Sequence, residues 1–455
     1  MTTEKKPKVL IVGAGIGGLT LAAILERAKI PYEIFEKASA LKPLGSAIAI
    51  GPAVMLMLTQ LGIQDQIIEK GAPIGKYCMF SENKKLLMEM DFTHGDSEKF
   101  GWPGCIVSRP NLHNILLGLI PPERIHLNKR VLSHVETGIG IIIRTSDNMM
   151  HEGNILVGAD GTYSAVRQCL YEQLEKNGKL PSSDKKPLGY STVCLVGQTR
   201  PLEPMTYEYS DEKTCVYESI LFNDRPLLFA AFTTTEKTLC WMALEFLDEE
   251  SSKKHDNFRS SDWGPEAAQA MCNEIRDLPA VRNLTMGDLI DATPKEVICK
   301  VMLEEKMFET WTHGRTVLLG DACHKLHPAG GLGAQTAMND AVVLANYIST
   351  LTSVRSEEVE KALKAYKDER MPVAKTAWKA SSEMANTLKQ NLKGRLVRKF
   401  FSHMPSWLWH AIRAKSYVNR PQISFLPLAE DKCKVKADYQ PSLEKTRPKD
   451  MVASV

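Results

Sequence analysis

Apolar and polar positions along the chain fall into blocks whose period changes from strand-like to helix-like and back. Residues 8–12 (Lys-Val-Leu-Ile-Val) form a short β-branched run, the pattern of a strand buried on both faces. A glycine-rich turn follows at 13–18, and residues 19–28 then have helical composition without proline. After Pro31, residues 32–36 read as a second strand. The first 36 residues therefore predict a βαβ unit.

The stretch 45–90 alternates apolar and helical segments that the pattern does not separate. Residues 109–119 predict a helix with Pro110 in its first turn, and strands are expected at 125–128, 131–136, 140–144 and 155–157. The polar stretch 171–187, with Gly178 and Pro181, reads as a surface loop or domain boundary. Strand-like runs at 190–199, 214–222, 226–233 and 239–246 predict an antiparallel sheet with one solvated face. A charged exposed loop is expected at 248–262 and a helix at 264–277. The chain then returns to α/β character, with a buried strand at 316–319 and helices at 334–350, 356–367 and 371–389. Residues 436–455 are rich in charge, contain Pro441 and Pro448, and read as a disordered tail.

Composition narrows this picture only slightly. The 455 residues are 44% hydrophobic and 24% charged, which suits a soluble globular protein of two to four domains and excludes fibrous or wholly disordered classes. Lys+Arg number 57 against 54 Asp+Glu, a net charge of +3 without a basic block, so nothing points to nucleic acid. The ten cysteines stand apart with no CxxC pair, which predicts reduced thiols rather than a zinc site or a disulfide framework. The lysine-rich start has no long apolar segment and no window reaches the ~18 apolar residues of a membrane span, so a cytoplasmic location is the working expectation.

Gly13-Ala14-Gly15-Ile16-Gly17-Gly18 joins the first strand to its helix. In such a GxGxxG turn Gly13 permits the tight bend, Gly15 lets backbone approach a pyrophosphate, and Gly18 packs helix on strand. The helix N-terminus supplies free N–H groups and the positive end of a dipole. Glu36 closes the second strand where a carboxylate accepts a ribose hydroxyl. Strand, turn, helix, strand and acid together indicate a dinucleotide, NAD or FAD.

Two further segments decide between these. One is Leu156-Val157-Gly158-Ala159-Asp160-Gly161-Thr162, and the other is Leu318-Leu319-Gly320-Asp321-Ala322-Cys323-His324 running on through Pro328, Gly330, Gly331, Gly333, Ala334 and Gln335. With the first turn they resemble, in the same order, the three signatures of the class A single-component FAD-dependent monooxygenases: the aromatic hydroxylases, salicylate hydroxylase-like enzymes, zeaxanthin epoxidase and fungal meroterpenoid epoxidases. The resemblance spans about residues 8–390. It implies an α/β fold in which a discontinuous Rossmann-like FAD-binding domain (1–80, 109–187 and 301–390) carries an inserted α+β substrate domain (81–108 and 188–300) on a mostly antiparallel sheet. C-terminal helices occupy 391–435 and the tail 436–455.

The resemblance also implies roles. Glu36 would hold the adenosine ribose, Val131 would offer an adenine-side backbone contact, and Arg109 would reach the pyrophosphate region. Ala49 lies in 45–49 (GSAIA), similar to the family's GASIG segment but with alanine for its second glycine. Asp160 would serve FAD and the nicotinamide cofactor, and Asp321 the ribityl chain. The turn ending in Gly333 and Ala334 would face the flavin pyrimidine. Gln335 stands where many relatives have asparagine. The implied reaction is reduction of FAD by NADPH or NADH, then attack of a flavin C4a-hydroperoxide on a small aromatic, N-heteroaromatic or prenylated substrate, with O2 as co-substrate. Tyr217 is the candidate substrate-side catalytic hydroxyl, and Tyr190, Phe232 and Trp241 are candidate pocket walls.

Other readings stay open at this level. Asp321, His324 and His327 have helix-face spacing for a metal, but Pro328 interrupts that helix and no metal is expected. A flavin-dependent reductase or halogenase on the same scaffold is one alternative, although the halogenase Gly-Trp-x-Trp-x-Ile-Pro motif is missing. A non-catalytic, membrane-associated flavin-binding protein is another. The segment 398–413, aromatic between basic ends, reads either as peripheral membrane contact or as a C-terminal helix packed on the FAD domain. The chain itself is expected to be a monomer or homodimer.

Overall fold

The computed structural model describes residues 6–41, 47–92, 96–202, 214–247, 265–281 and 283–446. The charged loop expected at 248–262 and residues 45–46 of the GSAIA segment lie outside the described residues.

Three sheets organise the chain. The first has six strands in the order β17 (Thr312–His313), β18 (Thr316–Leu318), β11 (Ile155–Gly158), β1 (Val9–Val12), β2 (Tyr32–Phe35) and β7 (Ile125–His126). All its pairings are parallel except β17–β18. The strand at β1 and the helix Ile16–Arg27 form because β-branched residues give way to Leu and Ala, and both are buried almost throughout. A three-stranded antiparallel sheet, β8 (Val131–Glu136), β9 (Ile141–Thr145) and β10 (Met150–Gly153), packs beside it.

The third sheet runs β19 (His324–Lys325), β16 (Cys299–Met307), β12 (Gly189–Gln198), β15 (Leu239–Phe246), β14 (Leu227–Thr233), β13 (Cys215–Leu221), β4 (Gly71–Ser81), β6 (Cys105–Ser108) and β3 (Ala47–Ile50), with β5 (Leu86–Asp91) on β4. It is antiparallel but for the β13–β4 pair. The chain thus enters this sheet with β3, earlier than the division expected at residue 81.

Its strands alternate between two buried faces. Leu195, Ile220, Phe229, Trp241 and Ala243 point to one cluster, covered by the helices Pro265–Ile275 and Met286–Asp291. Cys194, Leu221, Leu228, Ala230 and Leu244 point to the other. Among the described residues neither face is wholly solvated as the alternation suggested: the helices cover one side, and the C-terminal helices close part of the other.

Helix boundaries also differ from the pattern. The helix Ala165–Lys176 extends into the polar stretch read as a loop, with Leu170, Tyr171 and Leu174 buried on one side. A single helix, Ser356–Thr387, replaces the two expected there and carries Pro372 inside it. Its buried face continues across the proline through Tyr366, Arg370 and Ala374, and that tertiary packing outweighs the local break. Residues 436–446 are folded rather than disordered. The helix Pro441–Thr446 seats Ser442 against Glu369, whose carboxylate accepts from the Ser442 N–H at 2.8 Å and hydroxyl at 2.9 Å.

One buried acid ties two long helices to the segment that follows β18. Asp340, fully buried in the helix Gly333–Ser349, accepts from His324 Nε2 at 2.6 Å, Arg370 Nε at 2.8 Å and the Gly320 N–H at 3.2 Å. Burial pushes its carboxyl up, but the neighbouring His324 and Arg370 outweigh this and hold it below the ordinary value. Asp340→Asn leaves a buried guanidinium uncompensated and is expected to cost about 3–5 kcal/mol of stability at neutral pH. Because the folded pKa is depressed, Asp340's contribution is present above the unfolded carboxylate value and fades as pH falls. Urea unfolding of both forms should therefore show the gap narrowing below about pH 4; a pH-independent gap contradicts it.

Candidate functional site

The residues picked out along the chain converge at one edge of the parallel sheet. Gly13 follows β1, Glu36 follows β2, Asp160 follows β11 and Asp321 comes just after β18. These are neighbouring strands, and the crevice beyond the carboxyl ends of such strands is where α/β sheets hold ligands.

Three of the four glycines of the first turn, those of the GxGxxG pattern, prove to have different reasons. Gly13 has φ +103°, and a Cβ there would lie 2.5 Å from the Ala159 carbonyl oxygen. A Cβ on Gly18 would lie 2.1 Å from the Gly13 oxygen. The fold itself requires both. Gly15 has φ −78°, open to any residue, and a Cβ there would meet nothing within 4 Å. It begins the helix Ile16–Arg27 with no side-chain cap and no acid in the first turn. The N–H groups and dipole end of that helix therefore face open space.

Glu36 is fixed by the turn it serves. Its Oε2 accepts from the Ala14 N–H and its Oε1 from the Ala38 N–H, both at 2.9 Å, which leaves a lone pair on each oxygen. The next strand lies alongside, since Lys129 N–H donates to the Glu36 carbonyl, and Val131 opens β8 two residues on. His113, not singled out by the sequence, braces the turn with Nε2 2.9 Å from the Ala14 oxygen, and burial lowers its pKa.

At β11 the Asp160 carboxylate is half committed. Oδ2 accepts from the N–H groups of Ala165 at 2.7 Å and Val166 at 3.3 Å, while the buried Oδ1 has no hydrogen-bond partner. Burial raises its pKa. Asp321 receives Lys325 Nζ at 2.6 Å, a partner the sequence reading missed. Burial acts to raise Asp321, but Lys325 first, then His324 and Arg109, hold it below the usual carboxylate range. Arg109 stands exposed at the start of the helix Arg109–Leu117, capped by Ser108, and makes no ion pair among the described residues.

The helix Gly333–Ser349 also begins without a side-chain cap, and a Cβ on Gly333 would meet nothing within 4 Å. Ala334 follows in its first turn. Gln335 Oε1 accepts from the Gly51 N–H at 3.1 Å, joining this helix to the end of β3. Ala49, on β3, faces the same turn: a Cβ on Gly331 would sit 3.6 Å from that of Ala49.

Across from this turn lies the inner face of the large sheet. Ala49 and Tyr217 pack on one cluster with Ile106, Phe232 and Cys240, and Tyr217 also joins Val196, Met242, Val301, Leu303 and Ala329. The Tyr217 ring lies 4.5 Å from Tyr77 and 5.6 Å from Phe232. Burial, with smaller effects from Cys215 and Cys194, pushes its hydroxyl up to about 12, so it stays protonated at neutral pH. Trp241 is not a wall. It points to the opposite face, fully buried, with Nε1 2.9 Å from Thr293 Oγ1. Tyr190 lies opposite Glu304, beyond a bulge in β12.

Cys323, His324 and Asp340 offer donor atoms within 4.8 Å of one another. Asp340 there already binds Arg370, and burial raises the Cys323 thiol well above its ordinary value, so the group is the structural tie described above.

The FAD binding domain model matches residues 6–187 and 259–381. The chain belongs to this FAD-binding family. It is 27% identical over 438 residues to the FAD-dependent monooxygenase paxM of Penicillium paxilli, covering 92% of this chain and 87% of that protein. Identity to the FAD-dependent monooxygenase atmM of Aspergillus flavus is 27% over 457 residues, 94% and 88% of the two chains. The fold is shared with Klebsiella pneumoniae HpxO complexed with FAD and uric acid, with a TM-score of 0.73, 19% identity, and 91% and 97% of the two chains covered. An FAD-binding domain split by a second, largely antiparallel unit and followed by C-terminal helices is thus the architecture of this chain.

The residues present suit FAD: an open glycine, two uncapped helix N-termini, a free guanidinium and a buried carboxylate oxygen without a partner all border the crevice. Gly15→Ala should leave the melting temperature of FAD-free protein within about 1 °C of the parent yet weaken FAD binding about tenfold or more, equivalent to about 1.4 kcal/mol. Gly18→Ala should lose about 1–3 kcal/mol of stability as well. Fluorescence titration and thermal melts separate the two; undiminished FAD affinity in Gly15→Ala overturns the assignment of that space.

Proposed function

We propose that the chain is an FAD-dependent monooxygenase that uses NADPH or NADH and O2 to hydroxylate or epoxidise a small aromatic, N-heteroaromatic or prenylated substrate. The observation that carries this is the convergence of Gly15, Glu36, Asp160, Asp321 and the uncapped Gly333 helix on one crevice, directly facing the apolar sheet face that presents Tyr217. Curated relatives that are FAD-dependent monooxygenases over most of their length support the same reading.

Each residue has a distinct task in this proposal. Gly15 admits the pyrophosphate to the helix N-terminus that Gly13 and Gly18 shape, with the exposed Arg109 as its counter-charge. Glu36 accepts from the adenosine ribose, and the backbone at Val131 borders the adenine. Asp160 offers its free oxygen, and Asp321, kept ionised by Lys325, accepts from the ribityl chain. Ala49, Gly333 and Ala334 line the flavin end, where N–H groups of the Gly333 helix stabilise negative charge. When bound, FAD supplies the redox chemistry and oxygen activation. The protein's part is to orient the substrate and exclude water, for which Val196, Met242, Val301 and Leu303 form an apolar wall. Tyr217, protonated throughout the working range, can donate one hydrogen bond to substrate but cannot serve as a base.

Purified protein should be yellow and should consume NADPH or NADH faster with one member of a panel of phenols, N-heteroaromatics and prenylated compounds, yielding product one oxygen heavier. Protein that takes up no added FAD overturns the reading. Tyr217→Phe should reduce product formed roughly three- to tenfold at unchanged FAD content. With the hydroxyl near 12, that ratio should stay flat between about pH 6 and 9; a ratio that changes with pH argues for a proton-transfer role instead.

A further inference from the structure

The C-terminal helices Leu392–Ser402 and Ser406–Tyr417 have two unlike sides. Inward, Phe401 and Trp409 join the cluster of Met88, Met90 and Leu388. Trp409 Nε1 donates to the Asp91 carbonyl at 3.1 Å, Ser402 Oγ donates to the Leu87 carbonyl at 3.0 Å, and the Trp409 ring lies 5.5 Å from Phe92. Arg398 is buried and bound to the carbonyls of Thr387 and Lys389, and Arg413 is buried among the rings of Phe92, Phe100, Trp409 and Tyr417. The helices are thus anchored mainly on β5 and its flank, the second also touching the FAD domain at the helix Pro52–Leu61 beside Gly51, and these contacts account for part of the aromatic–basic segment.

The outward side is largely exposed, its one ring contact among the described residues being Phe400 against Phe401 at 5.8 Å. Leu392, Leu396 and Phe400, spaced by four on one helix face, are 73%, 61% and 54% exposed, and Trp407 beyond the bend is 68% exposed. Lys389, Lys393, Arg395, Lys399 and Lys415 are exposed around them and make no ion pair among the described residues. No Asp or Glu occurs between Met384 and Ala429. A core-facing helix would turn such residues inward, and a solvated one would mix signs of charge.

We propose that this ridge seats the protein on an anionic bilayer surface. The leucines and Phe400 enter the acyl boundary, Trp407 lies at the headgroup level, and the unpaired cations meet anionic lipid headgroups. The charge decides between occupants: a second copy of the chain would bring five more unpaired cations against these, whereas anionic lipid neutralises them. No helix among the described residues is long and apolar enough to cross a membrane, so the contact is peripheral.

The test is co-sedimentation of the full chain with phosphatidylcholine vesicles with and without about 30% phosphatidylserine. Binding should require the anionic lipid and weaken with salt. Lys393→Gln and Lys399→Gln should each lower partitioning about fivefold, equivalent to about 1 kcal/mol. Leu392→Glu with Phe400→Glu should abolish it, with far-UV circular dichroism and melting temperature unchanged because both side chains are exposed. Should that double variant misfold, brominated lipid supplies an independent reading: it should quench the emission lost in Trp407→Phe. Vesicle binding that is absent, or equal for parent and charge variants, overturns the proposal. So does a concentration-dependent dimer broken by the double variant without vesicle binding, which assigns the ridge to a second copy.

Discussion

Asp340 is the point on which the nucleotide half of this protein depends. A fully buried carboxylate survives only with partners that repay its desolvation, and Asp340 has three from two places in the chain: the Gly320 N–H and His324 in one segment, and Arg370 in another. Through them the helix Gly333–Ser349, the long helix Ser356–Thr387 and the Gly320–Asp321 turn hold a single relative position. Tyr366 adds a bond from its hydroxyl to the Leu318 carbonyl at 3.1 Å, on the same side. The consequence reaches the site, because Asp321 and the start of the Gly333 helix are placed by the elements this network joins.

Around that tie, the crevice is built mostly from backbone. Two helices point uncapped N-termini into it, and its side chains are either restrained or deliberately incomplete. Glu36 is held by two N–H groups, Asp160 keeps one buried oxygen without a partner, and the half-buried Asp321 is held ionised by Lys325. Incomplete polar groups in a folded core cost stability unless a ligand completes them. The large sheet contributes the opposite character: one face is packed shut by helices around Trp241, and the other offers partly exposed apolar residues beside Tyr217. A polar cradle facing an apolar wall suits a charged cofactor that must act on a poorly polar substrate away from water.

The C-terminal helices extend the same division of labour. Their inner residues complete the packing of β5, and the residues 421–446 strap back over the helix Gly333–Ser349, where Asn346 Nδ2 donates to the Gln422 carbonyl at 2.9 Å and Ser424 N–H donates to Asn346 Oδ1 at 2.9 Å. What remains outside is apolar and cationic, and no element among the described residues covers it.

Local chemistry made much of this legible in advance. The βαβ unit, the glycine turn and Glu36 could be read because each rests on a constraint within a few residues: β-branched runs, φ above zero, or a required residue after a strand. The Asp160 and Asp321 segments were legible through their resemblance to a known family. Only the tertiary structure decided the rest. Gly15 and Gly18 look alike in the motif, yet one is required by a backbone oxygen of the chain and the other by nothing in it. Trp241 and Tyr217 are both aromatic residues on alternating strands, and only the strand register sets one inward and the other toward the crevice. Pro372 should end a helix, but packing on both sides of it carries the helix through. Lys325, His113 and the three partners of Asp340 carry no local signal at all, because a long-range ion pair or hydrogen bond leaves no period or spacing along the chain. The sequence by itself determined which chemistry this protein carries, since that chemistry resides in short rigid segments. The fold decided which side chains share a site, since that depends on contacts between residues hundreds of positions apart.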